Sequence, residues 1–332
     1  MADSSDEESK LNQKKSLLNS DEDETATNDE EKKTSGAFAE EGKSFKELGL
    51  CEELCAAVDE LGYKHPTKIQ RESLPYSLQG KDIIGLAETG SGKTASFALP
   101  VIQSLLANPQ RNYALVLAPT RELSIGIAEQ FEALGAKIGL KTCVLVGGLD
   151  ITQQAMNLSR NRPHIIVGTP GRVADHLENT KGFNLKGIKY LILDEADKLL
   201  EMDFEKQINQ IVGAAPRTRS TYLYSATMTN KVSKLQRASL KNPVKIEVSS
   251  KYQTVDKLEQ NFLFVPALQK DCYLAYVLNE YAGNSIMVFA ATCLGCQRMT
   301  LMLRNLGFKT VPLHGQMNQT KRLGALNKFK SG

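Results

Sequence analysis

The sequence contains no run of apolar residues approaching the roughly 20 that span a bilayer, so no membrane partner is expected. Its first residues are acidic and lack the apolar stretch of a secretory signal. The six cysteines are scattered, which suits a reducing compartment better than a disulfide framework. Cys293 and Cys296 form a lone C-x-x-C at the start of an apparent helix, too little for a zinc or redox site. The four histidines (His65, His164, His176 and His314) show no metal-ligand spacing. Large apolar residues are nearly missing from residues 1–44, which hold 13 Asp/Glu and 6 Lys. Such a segment cannot bury enough surface to offset the entropy of ordering, and it is expected to be a disordered acidic tail. Ser4, Ser5 and Ser20 lie beside its acidic runs and are candidate phosphorylation sites. The net charge of +3 divides into −7 for this tail and +10 for the remainder, an excess that favours a polyanionic partner.

From Phe45 onward, short apolar runs alternate with longer amphipathic stretches. The runs are IIGLA (83–87), ALVLA (114–118), TCVLV (142–146), HIIVG (164–168), YLILD (190–194) and TYLYS (221–225). Continuous apolarity over strand length points to strands buried on both faces, as in a parallel sheet covered by helices. The fold class is therefore α/β, doubly wound. Polar, charged or glycine-rich clusters follow each run, at the sheet edge where ligands bind in open α/β folds. VKIEV (244–248) closes this domain, and SSKYQTVDK (249–257) reads as a linker. Three further strand–helix units follow: QNFLFV, SIMVFA and KTVPLH, each leading into a helix. The last helix spans Gln319 to Lys330, with Leu323, Leu326 and Phe329 at helical spacing.

The segment Ala87-Glu-Thr-Gly-Ser-Gly-Lys-Thr94 has P-loop spacing, follows a strand and opens a helix. Thr89, Gly90, Ser91 and Gly92 would turn successive N–H groups toward phosphates, aided by the helix N-terminus. Lys93 would reach the β- and γ-phosphates, and the Thr94 hydroxyl would ligate Mg²⁺. YLILDEAD supplies the second metal carboxylate, Asp194, at a strand end; Glu195 would orient and deprotonate the attacking water. Alone, this acidic pair equally suits a decorated helix N-terminus. Upstream, Gly62-Tyr-Lys-His-Pro-Thr-Lys-Ile-Gln70 reads as a stiffened turn opening a helix. Gln70 could present a bidentate amide to adenine, with Tyr63 and Phe45 stacking on or walling the base.

Together these motifs resemble the DEAD-box ATP-dependent RNA helicases. Asp194-Glu195-Ala196-Asp197 spells the family name. Gly62 to Gln70 resembles the Q motif with its upstream aromatic Phe45, and Ala87 to Thr94 resembles motif I. Pro119 to Leu123 matches motif Ia, Gly147-Gly148 the glycine doublet, and Thr169 to Arg172 motif Ib. Ser225-Ala226-Thr227 matches motif III, and Met287 to Ala290 resembles motif IV. The resemblance covers residues 45–332 and is similar in wording to a nucleolar member that processes ribosomal RNA.

The resemblance implies an α/β architecture of a RecA-like ATP-binding domain (45–248), a linker (249–257) and about half of a second RecA-like domain (258–332). It implies ATP and Mg²⁺ as cofactors, with Lys93, Asp194 and Glu195 catalytic and Gln70 selecting adenine. Thr120, Arg121, Gly147, Gly148, Thr169, Gly171 and Arg172 would line an RNA path through sequence-independent backbone contacts. Asp197, Ser225 and Thr227 would couple the two sites. Pre-ribosomal RNA, ribosome-assembly proteins and a nucleolar location follow from the same likeness. Residues 258–332 contain neither the His-Arg-x-Gly-Arg arginine fingers nor motif V, so this chain alone is expected to turn over ATP weakly. Its alternative is a non-catalytic ATP- and RNA-binding fragment.

Overall fold

A computed structural model describes residues 42–248 and 258–332. The acidic tail with its three serines, apart from residues 42–44, and the 249–257 stretch lie outside the described residues.

Six strands form where the apolar runs predict them and a seventh at VKIEV: β1 Ile83–Leu86, β2 Ala114–Leu117, β3 Thr142–Leu145, β4 Ile165–Gly168, β5 Tyr190–Leu193, β6 Ser220–Ser225 and β7 Val244–Glu247. They build one sheet in the order β3-β4-β2-β5-β6-β1-β7, and every pair is parallel. The helices before and between them are α1 Glu52–Glu60, α2 Lys68–Ser77, α3 Lys93–Ala107, α4 Arg121–Leu134, α5 Ile151–Arg160, α6 Pro170–Asn179, α7 Ala196–Glu201, α8 Glu205–Ala214 and α9 Asn230–Ser239.

Successive strand residues point to opposite faces, and both faces are covered. In β2, Ala114 and Val116 join Phe97, Leu99, Ile102 and Phe131 of α3 and α4, beside Leu54 of α1 and Leu74 of α2. Leu115 and Leu117 join a second cluster with Val173 of α6, Ile208 and Ile211 of α8, and Val232 of α9. Most of these side chains are fully buried, and each contributes about 1.5–3 kcal/mol relative to exposure. Local signals set the helix starts. Thr120, Asp150 and Thr229 each accept a hydrogen bond from a first-turn backbone N–H, satisfying donors that the helix leaves unpaired.

Residues 258–332 hold three helices, α10 Lys270–Glu280, α11 Cys293–Asn305 and α12 Gln319–Lys330, where the periodicity predicts them. The three strands predicted ahead of these helices do not form a ladder among the described residues. QNFLFV, SIMVFA and KTVPLH run as irregular segments, and Phe262, Phe264 and Phe289 are almost fully exposed. A parallel strand draws its stability from hydrogen-bonded neighbours and helices on both faces, which apolarity alone does not supply. The predicted apolar face of α12 is likewise only half-buried at Leu323, Leu326 and Phe329.

Candidate functional site

The topology gathers the sequence motifs on one edge, because all seven strands point the same way. At the carboxyl ends of the neighbouring strands β1, β6 and β5 stand the glycine loop, Ser225-Ala226-Thr227 and Asp194-Glu195. At the ends of β2, β4 and β3 stand Thr120-Arg121, Thr169 to Arg172 and Gly147-Gly148. A nucleotide half and a second polar half therefore lie side by side, meeting between β5 and β2.

In the first half, Gly90 and Gly92 both adopt positive φ, +84° and +92°. Gly92 also has no room for a side chain: a Cβ there would lie 2.6 Å from Gln70 Nε2 and 2.7 Å from Thr67 Oγ1. Lys93 opens α3 and is buried, and its Nζ donates to the Ala87 carbonyl at 2.8 Å. Thr94 follows, half-buried, while Thr89 is exposed and Ser91 closes the loop by donating to the Glu88 carbonyl at 2.7 Å.

Gln70 is a buried strut between α2 and this loop. Its Oε1 accepts from the Thr67 N–H at 2.9 Å and its Nε2 donates to the Gly92 carbonyl at 3.0 Å. A primary amide carries two donors and two acceptor lone pairs, so one of each remains for a base edge. Tyr63 is partly buried nearby in sequence, packed against the first core cluster. Phe45 departs from expectation. Its ring belongs to the core and is only 5% exposed, so it has no free face to stack on a base. The turn at residues 45–49 closes Leu50 N–H onto the Phe45 carbonyl and tucks the ring inward.

Asp194 is buried at the end of β5, and burial pushes its carboxyl up to about 6. Lys93 opposes this shift, while Glu195 and Asp197 add to it. Glu195 adopts φ +49°, a left-handed conformation that costs a non-glycine residue about 1–2 kcal/mol. It caps α7, and its carboxylate pairs with Lys198 at 2.9 Å. Asp197 accepts from the Thr227 N–H at 3.1 Å and from the Thr227 hydroxyl at 2.9 Å. The Asp197 N–H donates to Ser225 Oγ at 3.3 Å, and Ser225 Oγ donates to the Thr227 carbonyl at 2.8 Å. Asp197, Ser225 and Thr227 thus form one hydrogen-bonded unit between β5 and β6.

Asp194 is thus a buried carboxyl beside two other carboxylates, with Lys93 opposing its raised pKa, and its Oδ1 accepts from the Glu195 N–H at 3.0 Å. Among the described residues no cluster of three or more His, Cys, Asp or Glu could hold a metal unaided. Mg²⁺ needs none, since it is commonly held by one or two carboxylates with waters and phosphates. Asp194 and the Thr94 hydroxyl fit that donor set.

In the second half, Arg121 lies over the glycine doublet. A Cβ on Gly148, at φ +77°, would run into Arg121 Nη1. Arg172 Nη1 donates to the Leu149 carbonyl at 2.9 Å and pins the same loop. Thr120 spends its hydroxyl oxygen as the α4 cap, Thr169 is buried, and Gly171 faces open space.

Sequence reasoning missed several partners. Gln319 of α12 accepts from Arg121 Nη1 at 3.2 Å and donates to Glu122 Oε1 at 3.1 Å, and Arg322 pairs with Glu122 at 2.9 Å. It also missed Lys198 and Thr67, although the Thr-x-x-Gln spacing of a capping box marks the latter. Below the doublet, His176 links Thr180 at 2.7 Å to Gln154 at 3.3 Å, and Gln154 donates to the Val146 carbonyl. Nothing local in the sequence signals that link.

A glycine loop with its lysine, a strand-end Asp-Glu pair and a coupled Ser-Ala-Thr on one parallel sheet define a P-loop nucleotide-binding protein. The DEAD/DEAH box helicase family model matches residues 67–235, just over half of the chain, and the helicase conserved C-terminal domain matches residues 269–332. The chain belongs to the DEAD/DEAH box helicases. It is 61% identical over 295 residues to the "Probable ATP-dependent RNA helicase DDX47" of Mus musculus, covering 89% of this chain and 65% of that protein. It is 60% identical over 290 residues to the "ATP-dependent rRNA helicase rrp3" of Schizosaccharomyces pombe, covering 87% and 62%. It thus spans under two thirds of the length of these relatives. Among solved structures it resembles a DEAD box protein from the hyperthermophile Methanococcus jannaschii, with 34% identity, TM-score 0.59, and coverage of 87% of this chain and 77% of the other.

Proposed function

We propose that this chain is the ATP-binding lobe (45–248), linker (249–257) and part of the second lobe (258–332) of an ATP-dependent RNA helicase acting on pre-ribosomal RNA. The observation that carries this reading is the Asp197–Thr227–Ser225 unit. It ties the strand that bears Asp194 and Glu195 to the strand beside the glycine loop, so nucleotide chemistry can move the polar edge. Relatives named as RNA and rRNA helicases support the substrate class, and nucleolar work with ribosome-assembly proteins follows from it.

In this reading Lys93 exchanges the Ala87 carbonyl for phosphate oxygens, and N–H groups of residues 89–92 cradle the remainder. Gln70 holds the base through its spare amide donor and acceptor, and Tyr63 stacks on or walls it. Bound Mg²⁺, held by Asp194 and Thr94 with phosphates, would neutralise charge on the phosphates. Glu195 orients the attacking water and accepts its proton, and its strained backbone aims the carboxylate. Thr120, Arg121, Gly147, Gly148, Thr169, Gly171 and Arg172 grip RNA phosphates and sugars without reading base edges. Gln319 shares Arg121 with that grip, which links the position of α12 to the RNA path.

Lys93→Ala tests the reading directly. Loss of one charge-assisted contact set, at about 1.5–3 kcal/mol per bond, should weaken ATP binding at least tenfold in equilibrium titration, with circular dichroism checking that the variant is folded. Unchanged ATP affinity would remove the assignment of the loop.

A further inference from the structure

The excess positive charge of this protein has an address. Residues 206–246 carry eight Lys/Arg and not one Asp or Glu, although the whole chain has a net charge of only +3. Part of that run returns, with the loop before β1, to the amino edge of the sheet, opposite the nucleotide and the proposed RNA path. There a cleft of about 380 Å³ is lined by Lys81, Asp82, Arg217, Arg219, Lys241 and Asn242 among others. Its one acid is already occupied: Asp82 Oδ1 accepts from the Thr221 N–H at 2.8 Å and Oδ2 from the Lys241 N–H at 2.7 Å. Arg219 donates to the Pro216 carbonyl at 2.8 Å, yet its Nε–H is buried without a partner. Lys81 and Arg217 are exposed, and among the described residues no carboxylate pairs with either or with Lys241, whose Nζ donates to the Arg217 carbonyl at 2.7 Å.

We propose that this cleft is a second RNA contact, gripping backbone phosphates of an RNA that extends beyond the path at the carboxyl edge. The proposal rests on the reading of the chain as an RNA-binding protein. The lining favours RNA over an acidic protein. It offers cations, hydroxyls and backbone but no apolar or aromatic side chain, whereas protein interfaces centre on such anchors. Phosphate contacts need only positive charge and polar donors, and they carry no sequence information. Strands of four to six residues at about 3.3 Å per residue put the two edges roughly 13–20 Å apart, before the loops are added. A short strand confined to the path would therefore not touch the cleft, whereas a flanking duplex would.

The test compares two RNAs on the full chain by fluorescence anisotropy across a salt series. One is a single strand of about 10 nucleotides, within the 4–16 that one binding module commonly covers. The other carries the same strand as an overhang on a stem of about 16 base pairs. The variants are the triple Lys81→Ala/Arg217→Ala/Lys241→Ala, whose side chains are exposed, and Arg121→Ala in the path. The triple variant should bind the stemmed RNA about tenfold more weakly and lower its salt slope by roughly two, while binding the short strand as wild type does. Unchanged affinity and slope for the stemmed RNA would overturn the proposal, as would an equal loss for both RNAs. Polyglutamate that displaces the stemmed RNA from wild type but not from the triple variant, at matched charge, would assign the cleft to an acidic protein instead. If Arg121→Ala leaves the short strand unaffected, the path fails, while the stemmed RNA still judges the cleft.

Discussion

Asp194→Asn should make the nucleotide-free protein more stable at neutral pH. The native carboxyl is buried at the end of β5, and its pKa rises from an ordinary 3.8 to about 6. Burial is the main cause, reinforced by Glu195 and Asp197 and only partly offset by Lys93. A rise of that size corresponds to a preference for the neutral carboxyl of about 3 kcal/mol. Between about pH 4 and 6 the folded chain holds a proton here that the unfolded chain has released, so stability falls as pH rises through that window. The cost is complete at pH 7 and absent below pH 4. Urea unfolding of both proteins should therefore show nearly equal stability at pH 4 and an advantage to Asn of up to ~3 kcal/mol at pH 7. The same substitution removes the carboxylate proposed to hold Mg²⁺. Saturating Mg-ATP at 100 times its dissociation constant stabilises a binder by about 2.7 kcal/mol, and the variant should gain clearly less. An Asn variant less stable than wild type at pH 7, or a difference that does not change with pH, would refute the electrostatic account.

Gly92→Ala should lower stability by about 1–3 kcal/mol and abolish ATP binding, because the new methyl meets Gln70 and Thr67 at a positive φ; thermal denaturation and nucleotide titration check both. Thr227→Val deletes the 2.9 Å bond to Asp197 and should cost about 1–3 kcal/mol. ATP affinity should stay within twofold of wild type while RNA stimulation of turnover is lost, measured as ATPase rate with and without RNA. Asp82→Ala leaves the Thr221 and Lys241 N–H groups without their acceptor and should cost about 2–4 kcal/mol in urea unfolding. Its ATP affinity should be unchanged, since Asp82 lies at the opposite edge of the sheet from the glycine loop.

Six of the seven strands of the first lobe were legible because each apolar run is short, continuous and followed by polar residues. Burial on both faces leaves that mark in any chain that forms such a sheet. The glycine loop was legible for a related reason: a tight turn into a helix constrains consecutive residues, so Gly90 and Gly92, both at positive φ, and Lys93 at the helix start carry their spacing in the sequence. The three strands read before α10, α11 and α12 by the same rule form no ladder among the described residues. Apolarity signals what a segment could bury, and pairing decides whether it does.

Tertiary structure alone decided which distant residues meet. Sequence determined that Asp194 ends a strand and that Thr227 follows another, but only the parallel order β5-β6-β1 makes Thr227 donate to Asp197 across 30 residues. Sequence placed Phe45 beside a nucleotide motif, whereas packing took its ring into the core. Sequence recorded eight cations without an acid between residues 206 and 246, and folding alone brought Lys81 from far upstream to the cleft that Arg217, Arg219 and Lys241 line. Local spacing is written along the chain and survives in one dimension. Contacts between strands depend on their order and register in the sheet, which no single segment encodes.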